Sequence, residues 1–261
     1  MDAFGIALIA LGCNKFDCVN ILGFNSPYWF FANFGSIAAG CIPAGIYTTN
    51  QPEACQYISH HSKAKVVVVD GIKQLEKYYG IAASLPNLTA IVMYGNDSLP
   101  SDIKSKCSVP CYTWESFIEL GMNSKGQNTQ VLLDRTNSWQ PTETVTLIYT
   151  SGTTGPPKAV MITNDNITWT CRTMLLCSRY QSMNPTDIMI SYLPLSHIAA
   201  QMLDLHIPMY TGTQIYFAQP DALKGSLGQT LKEVRPTTFF GVPRVWEKIY
   251  GAFRTIVYMY F

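Results

Sequence analysis

Between Asp17 and Glu53 the chain carries no charged side chain. A run of that length either crosses a bilayer, for which about 20 apolar residues suffice, or is buried inside protein. Gly23, Asn25, Pro27, Asn33, Gly35, Gly40 and Pro43 interrupt it. Those breaks fit a strand, a turn and a helix in a soluble α/β core better than one continuous span. Residues 3–13 are apolar as well, but Asp2 precedes them and no basic segment does. They read as a buried helix rather than a signal segment.

Along the chain, strand-like and helical patterns alternate. This predicts an α/β fold of βαβ units forming largely parallel sheets packed by helices. Helices are expected at 3–15, 28–40, 51–62, 71–84, 164–179, 197–210 and 221–234, with a last one after Pro243. Strands are expected at 18–24, 66–70, 88–94, 145–149, 187–193, 213–217 and 237–241. The run Val66-Val67-Val68-Val69 is the clearest buried strand. Ser26-Pro27 and Asn50 stand where helix caps belong. Residues 95–143 are rich in Asn, Asp, Ser, Pro, Gly and Thr. They read as an irregular connection, with a short helix at 114–120, between a first α/β sub-region (1–94) and a second (144–261).

Charged residues make up 13% of the chain, about half of the ~25% usual in globular domains. The deficit reads as surface meant to be covered by more protein, through which the chain can associate. The net charge of +1 gives no electrostatic ground for nucleic-acid binding. Eight cysteines occur without a Cys-x-x-Cys pair, and Cys107 and Cys111 have no histidine partners nearby. Zinc is therefore not expected, and the cysteines read as small buried hydrophobes in a reducing compartment.

One segment points at chemistry. The apolar run 145–149 leads into Thr150-Ser151-Gly152-Thr153-Thr154-Gly155-Pro156-Pro157-Lys158. The glycines allow close backbone approach to an anion, and successive N–H groups can make an anion-binding concavity. The four hydroxyls are donors to phosphate oxygens, Lys158 is a point charge, and the two prolines stiffen the exit. Such residues also populate plain surface turns. The spacing excludes a Walker-type loop, which needs Gly-Lys-Ser/Thr.

The segment resembles the Thr-Ser-Gly-Thr-Thr-Gly-x-Pro-Lys-Gly signature of adenylate-forming enzymes, departing from it at Ala159. The resemblance extends to residues 17–29, 45–50, 53–57 and 164–169, and to Ser191-Tyr192-Leu193-Pro194-Leu195-Ser196-His197. Together these are most similar to bubblegum-type long-chain acyl-CoA synthetases. The resemblance implies the large N-terminal domain of that family. It also implies an ATP-dependent ligase that joins a long-chain fatty acid to CoA through an acyl-adenylate.

By resemblance, residues 150–158 hold the ATP phosphates, Lys158 offsets charge during the reaction, and Thr154 is the contact to Mg2+ through them. His197 would orient the carboxylate, or alternatively cap the following helix. His197, Gly241 and Val242 would border the substrate channel, or Gly241 and Val242 are simply core. His60, His61 and His206 read as structural. The family's adenine motif, Tyr-Gly-x-Thr/Ser-Glu, and its ribose motif, Thr-Gly-Asp, are not found in this sequence. The family's mobile lid with its catalytic lysine would lie beyond Phe261. The chain therefore reads as a truncated form, inactive in thioester synthesis alone. A non-catalytic interaction fragment and a membrane-spanning fragment are the alternatives. The expected location is the cytoplasm, with peripheral contact at the endoplasmic reticulum or another membrane left open.

Overall fold

The computed structural model describes residues 1–96, 98–150, 155–176 and 183–260, without the side chains of residues 104, 252, 253 and 255–260. The elements run α1 (Asp2–Ala10), β1 (Cys18–Leu22), α2 (Pro27–Ala38), β2 (Ile42–Ile46), α3 (Pro52–His61), β3 (Ala64–Asp70) and α4 (Gly71–Tyr79). They continue β4 (Ala90–Tyr94), α5 (Ile103–Lys106), β5 (Cys111–Thr113), α6 (Trp114–Asn123), α7 (Gln127–Asn137), β6 (Thr144–Thr150), β7 (Lys158–Thr163) and α8 (Asn164–Leu176). The last are β8 (Ile188–Ser191), α9 (Ile198–Ala200), a π-helical turn (Gln201–His206), α10 (Ile207–Thr211), β9 (Gln214–Phe217), α11 (Leu227–Val234) and α12 (Pro243–Tyr260).

Seven strands form one sheet in the order β5-β4-β3-β1-β2-β6-β7, and β8 and β9 pair separately. All pairs are parallel except β6 with β7. Val66–Val69 of β3 are fully buried between β1 and β4. A strand covered on both faces reads as a continuous apolar run, because neither face meets water. The charge-free stretch forms β1, α2 and β2. Its helix starts at Ser26, whose hydroxyl accepts from Trp29 N at 3.3 Å, with Pro27 in the first turn. Among the described residues, no helix is long and apolar enough to cross a membrane.

Helix α1 is wedged against α2, α6 and α7 and buries Phe4, Ile6, Ala7 and Leu8. Phe4 stacks on Trp114 (centroids 5.3 Å) and leans on Phe117 (5.1 Å). Gly121 of α6 permits this crossing, since a Cβ there would overlap the Ala3 carbonyl. Gly121→Ala must push backbone from backbone, and a loss of about 1–3 kcal/mol is expected in urea unfolding, as for other overpacked sites.

The stretch expected as an irregular connection is largely ordered: it supplies α5, edge strand β5, α6 and α7. Its polarity is that of surface helices, α7 burying only Leu132 among its residues. Arg135 Nη1 donates to Cys13 O (2.8 Å) and Ala39 O (3.0 Å), Thr136 Oγ1 to Ala38 O, and Trp139 Nε1 to Ile37 O. The orphan carbonyls at the end of α2 are thus satisfied by residues about a hundred positions downstream.

Four local expectations are corrected. Asn50 does not cap α3: Gln51 stands at the cap position without a side-chain bond, and Asn50 O instead accepts from Lys77 Nζ. The helix expected at 197–210 is not one continuous α-helix: it contains a π turn, and Pro208 lies in the first turn of α10. Asn164 begins α8, but the cap is made by Thr163 and Asn166, which exchange backbone and side-chain bonds. Residues 237–241 are not a strand. Thr237 N and Thr238 N both donate to Ile188 O, so the segment touches the start of β8 without forming a ladder.

Candidate functional site

Both sequence motifs lie at the carboxyl edge of the large sheet, where open α/β sheets bind ligands. The glycine-and-hydroxyl loop is the turn of the β6–β7 hairpin, with Thr150 opposite Lys158. Its two ends are moored to α3. Tyr57 Oη donates to Pro157 O at 3.1 Å, and His61 Nδ1 lies 2.9 Å from Tyr149 Oη. Tyr149 Oη also reaches Ile58 O at 3.4 Å. His61 therefore has a structural role, as the sequence suggested.

Gly155 adopts φ +91, the conformation for which a glycine is needed. Thr150, Gly155, Pro156 and Lys158 are exposed, and Pro157 is half-buried. Among the described residues, no carboxylate pairs with the Lys158 ammonium. Ser151, Gly152, Thr153 and Thr154 lie outside the described residues.

The second motif is clasped to the first strands by Asn25, which is 4% exposed. Asn25 Nδ2 donates to Ser191 Oγ (2.8 Å) and Leu193 O (2.7 Å), and its Oδ1 accepts from Leu195 N (3.2 Å). Ser191 Oγ in turn donates to the buried Asp204 carboxylate at 2.7 Å. Burial raises the Asp204 pKa to about 7, the Ser191 bond opposing it. Gln201 Nε2 holds Leu195 O from the π turn.

Ser196 presses on β2: a Cβ on Gly45 would come within 2.7 Å of Ser196 Cα. Burial chiefly raises the pKa of the Tyr47 hydroxyl, with Ser196 beside it opposing the shift. Ala44 pairs with Leu147, so at ~3.3 Å per residue and ~4.8 Å between strands Gly45 lies about 8 Å from Thr150. The motif ending at His197 and the loop beginning at Thr150 are thus neighbours.

His197 is exposed and caps α9, its Nδ1 accepting from Ala199 N at 3.1 Å. That bond fixes the tautomer: the proton sits on Nε2, which is left as an outward donor. Capping and an orienting role are therefore compatible.

A cavity of about 530 Å3 lies beside α11 and α12, lined by Leu193, Leu227, Leu231, Val242, Val245 and Ile249 among others. Lys224, Arg244 and Lys248 border it, with no acidic residue among the described residues of its lining. Val242 lines this cavity. Gly241 and His197 do not. Gly241 packs on Trp246, whose Nε1 donates to Gly241 O at 2.9 Å. Asn25, Gly45 and Asp204 were not singled out by sequence, because their partners lie far off in the chain or show only as packing.

Comparison with known proteins agrees with this geometry. The AMP-binding enzyme family matches over residues 1–256. Over 242 residues the chain is 48% identical to the long-chain-fatty-acid–CoA ligase ACSBG2 of Xenopus laevis, covering 92% of this chain and 32% of that protein. It is 49% identical over 245 residues to the ligase ACSBG1 of Mus musculus, and 48% to that of Homo sapiens, with the same coverage. The chain thus spans about a third of the length of these relatives.

Among solved structures, the anthranilate CoA ligase AuaEII in complex with anthranoyl-AMP superposes with a TM-score of 0.74. The identity is 23%, over 92% of this chain and 42% of that one. The A-PCP didomain of a carboxylic acid reductase from Segniliparus rugosus, in complex with AMP, gives 0.75 at 19% identity, over 98% and 37%. With the signature loop, its moorings and the sheet order in place, the chain belongs to the AMP-binding enzyme family.

Proposed function

We propose that the chain is the phosphate- and acyl-handling portion of a long-chain fatty acid–CoA ligase. The observation that carries this reading is the hairpin loop 150–158, moored at both ends to α3 and adjacent to the His197 turn. ATP, a long-chain fatty acid and CoA are the substrates of the complete reaction. The fatty-acid carboxylate attacks the α-phosphate, pyrophosphate leaves, and the CoA thiol then displaces AMP from the acyl-adenylate.

The obstacle in the first step is repulsion between carboxylate and polyphosphate. Lys158 and the loop donors, Thr150 to Thr154 with Gly155, offset it. Pro156 and Pro157 hold the lysine at the strand start. His197 Nε2–H orients the carboxylate. The apolar cavity at Val242, with its basic rim, is where the acyl chain lies and Gly241 sets the turn beside it.

The loop offers hydroxyls, amides and one ammonium but no carboxylate. That donor set fits Mg2+ carried mainly by the triphosphate oxygens, with Thr154 as the protein contact. Bound there, the metal neutralises phosphate charge.

Titration calorimetry with MgATP tests the reading. Lys158→Ala is expected to weaken binding about tenfold, the value of one charge-assisted contact. Equal affinity for wild type and variant would remove the basis of the proposal. With ATP, CoA and a long-chain fatty acid, the chain by itself is expected to form no thioester, since the adenine and ribose motifs are not in these 261 residues.

A second reading, association through apolar surface, rests on Met161, Trp169 and Leu176, which are 67%, 63% and 75% exposed. Light scattering distinguishes it: a stable monomer would exclude it. Location at the cytoplasm and peripheral membrane contact belong to the same proposal.

A further inference from the structure

The mouth of the cavity beside α11 and α12 carries positive charge that the packing around it does not use. Arg244 and Lys248 stand four residues apart on α12 and so share one face of the helix. Lys248 Nζ donates to Leu223 O at 3.1 Å, which brings its ammonium to the turn that bears Lys224. Three cations thus gather at one opening, although like charges so placed repel one another. Among the described residues, no carboxylate forms an ion pair with any of them. Asp221, three positions before Lys224, is instead engaged by Ser226 Oγ at 2.6 Å. Behind the opening the wall is apolar. Gly228 of α11 leaves room there, since a Cβ on it would meet nothing within 4 Å.

We infer that Lys224, Arg244 and Lys248 form a docking rim that selects free fatty acids over uncharged lipids, holding the carboxylate at the mouth while the chain enters the cavity. The inference rests on the acyl reading of this cavity given above and adds where the acid first binds. A single-chain acid has the two halves that the site has. Its tail leaves water for the apolar wall, and its head meets a planar guanidinium fork and two ammonium groups. A free nucleotide lacks the tail, and a fatty alcohol or ester lacks the charge.

The rim pose is distinct from the reacting one. Leu193 lines the cavity, whereas His197, four positions further on, does not. A carboxylate held by the rim is therefore not yet at His197 and must leave the cations to reach it. The rim acts on recognition of the acid, without ATP, and no bond is made or broken there. Buried methylenes contribute alike to an acid and to the alcohol of the same length, so the difference between those two ligands isolates the rim.

Equilibrium dialysis of the whole chain against radiolabelled dodecanoate and dodecanol, without nucleotide and below micelle formation, tests the inference. Dodecanoate is expected to bind about tenfold more tightly at low salt, the sum of a few exposed ion pairs. That advantage should vanish at about 1 M salt, where the screening length is about 3 Å. The double variant Lys224→Gln, Arg244→Gln should bind the two ligands equally, with dodecanol affinity unchanged. Gly228→Leu, which fills the cavity, should weaken both. Equal affinity of the wild type for acid and alcohol overturns the rim and leaves the acyl reading of the cavity standing. Binding of neither ligand, or undiminished binding of both by Gly228→Leu, overturns the rim together with that reading.

Discussion

Asn25→Ala is expected to lower the unfolding free energy by about 4 kcal/mol. Asn25 is nearly inaccessible and makes three hydrogen bonds, to Ser191, Leu193 and Leu195. Its partners lie 166–170 positions away in sequence. Alanine fills none of these roles. The Leu195 N–H is left buried and the Leu193 carbonyl half-buried, each without the partner Asn25 supplied, at about 1–3 kcal/mol each. Ser191 keeps the bond it donates to Asp204 and loses only the one it accepts.

The loss falls on the contact between the large sheet and the β8 strand end, so unfolding should also become less cooperative. Urea denaturation followed by far-ultraviolet circular dichroism measures both. A change below about 1 kcal/mol would show that water replaces Asn25 freely and that the clasp does not hold the motif. The loop 150–158 is moored through α3 instead. MgATP affinity should therefore survive in whatever fraction remains folded.

The elements read from sequence are those whose signals are local. Val66–Val69 declare a buried strand because every side chain is apolar. Ser26-Pro27 declares a helix start because the cap and the first turn are adjacent. What was not legible depended on distant partners. β2 contains Pro43, which reads as a break, yet it lies inside the sheet. A proline is tolerated there because the ladder to β6 is a single bridge, Ala44 with Leu147, and Pro43 O takes the Thr146 hydroxyl instead.

β7 was missed because it is an edge strand with Val160 and Met161 exposed, so neither alternation nor a continuous apolar run marks it. The chemistry of residues 150–158 was legible because it resides in one contiguous segment. The support behind it was not: Tyr57, His61, Gly45 and Asn25 act through contacts that only the folded chain creates.

Asp204 and His206, two residues apart on the π turn, should give opposing pH dependences that single substitutions unmask. Asp204 is 5% exposed, and burial lifts its pKa from 3.8 to about 7 against the pull of Ser191. Between those values the folded chain holds a proton that the unfolded chain has released. Stability therefore falls as pH rises through this window, by about 4 kcal/mol in all at 1.36 kcal/mol per pH unit.

His206 is the reverse case. Burial lowers its pKa from 6.5 to about 4, and its ring packs edge-on against Phe34 at 5.8 Å. Between 4 and 6.5 the unfolded chain binds the proton and the folded chain does not, so stability rises with pH there. Because the ring is partly open to solvent, the rise amounts to about 2 kcal/mol.

The two slopes largely offset in the wild type between pH 4 and 6.5. Asp204→Asn keeps an acceptor for Ser191 and removes the falling slope. Its stability should climb from pH 4 to 6.5 and exceed the wild type above pH 7. His206→Gln should do the opposite, falling steadily from pH 4 to 7. Urea midpoints for the three proteins across pH 4–8 decide the matter. Parallel profiles would mean that neither group changes its protonation on folding, and that the Ser191–Asp204 pair is solvated rather than sealed.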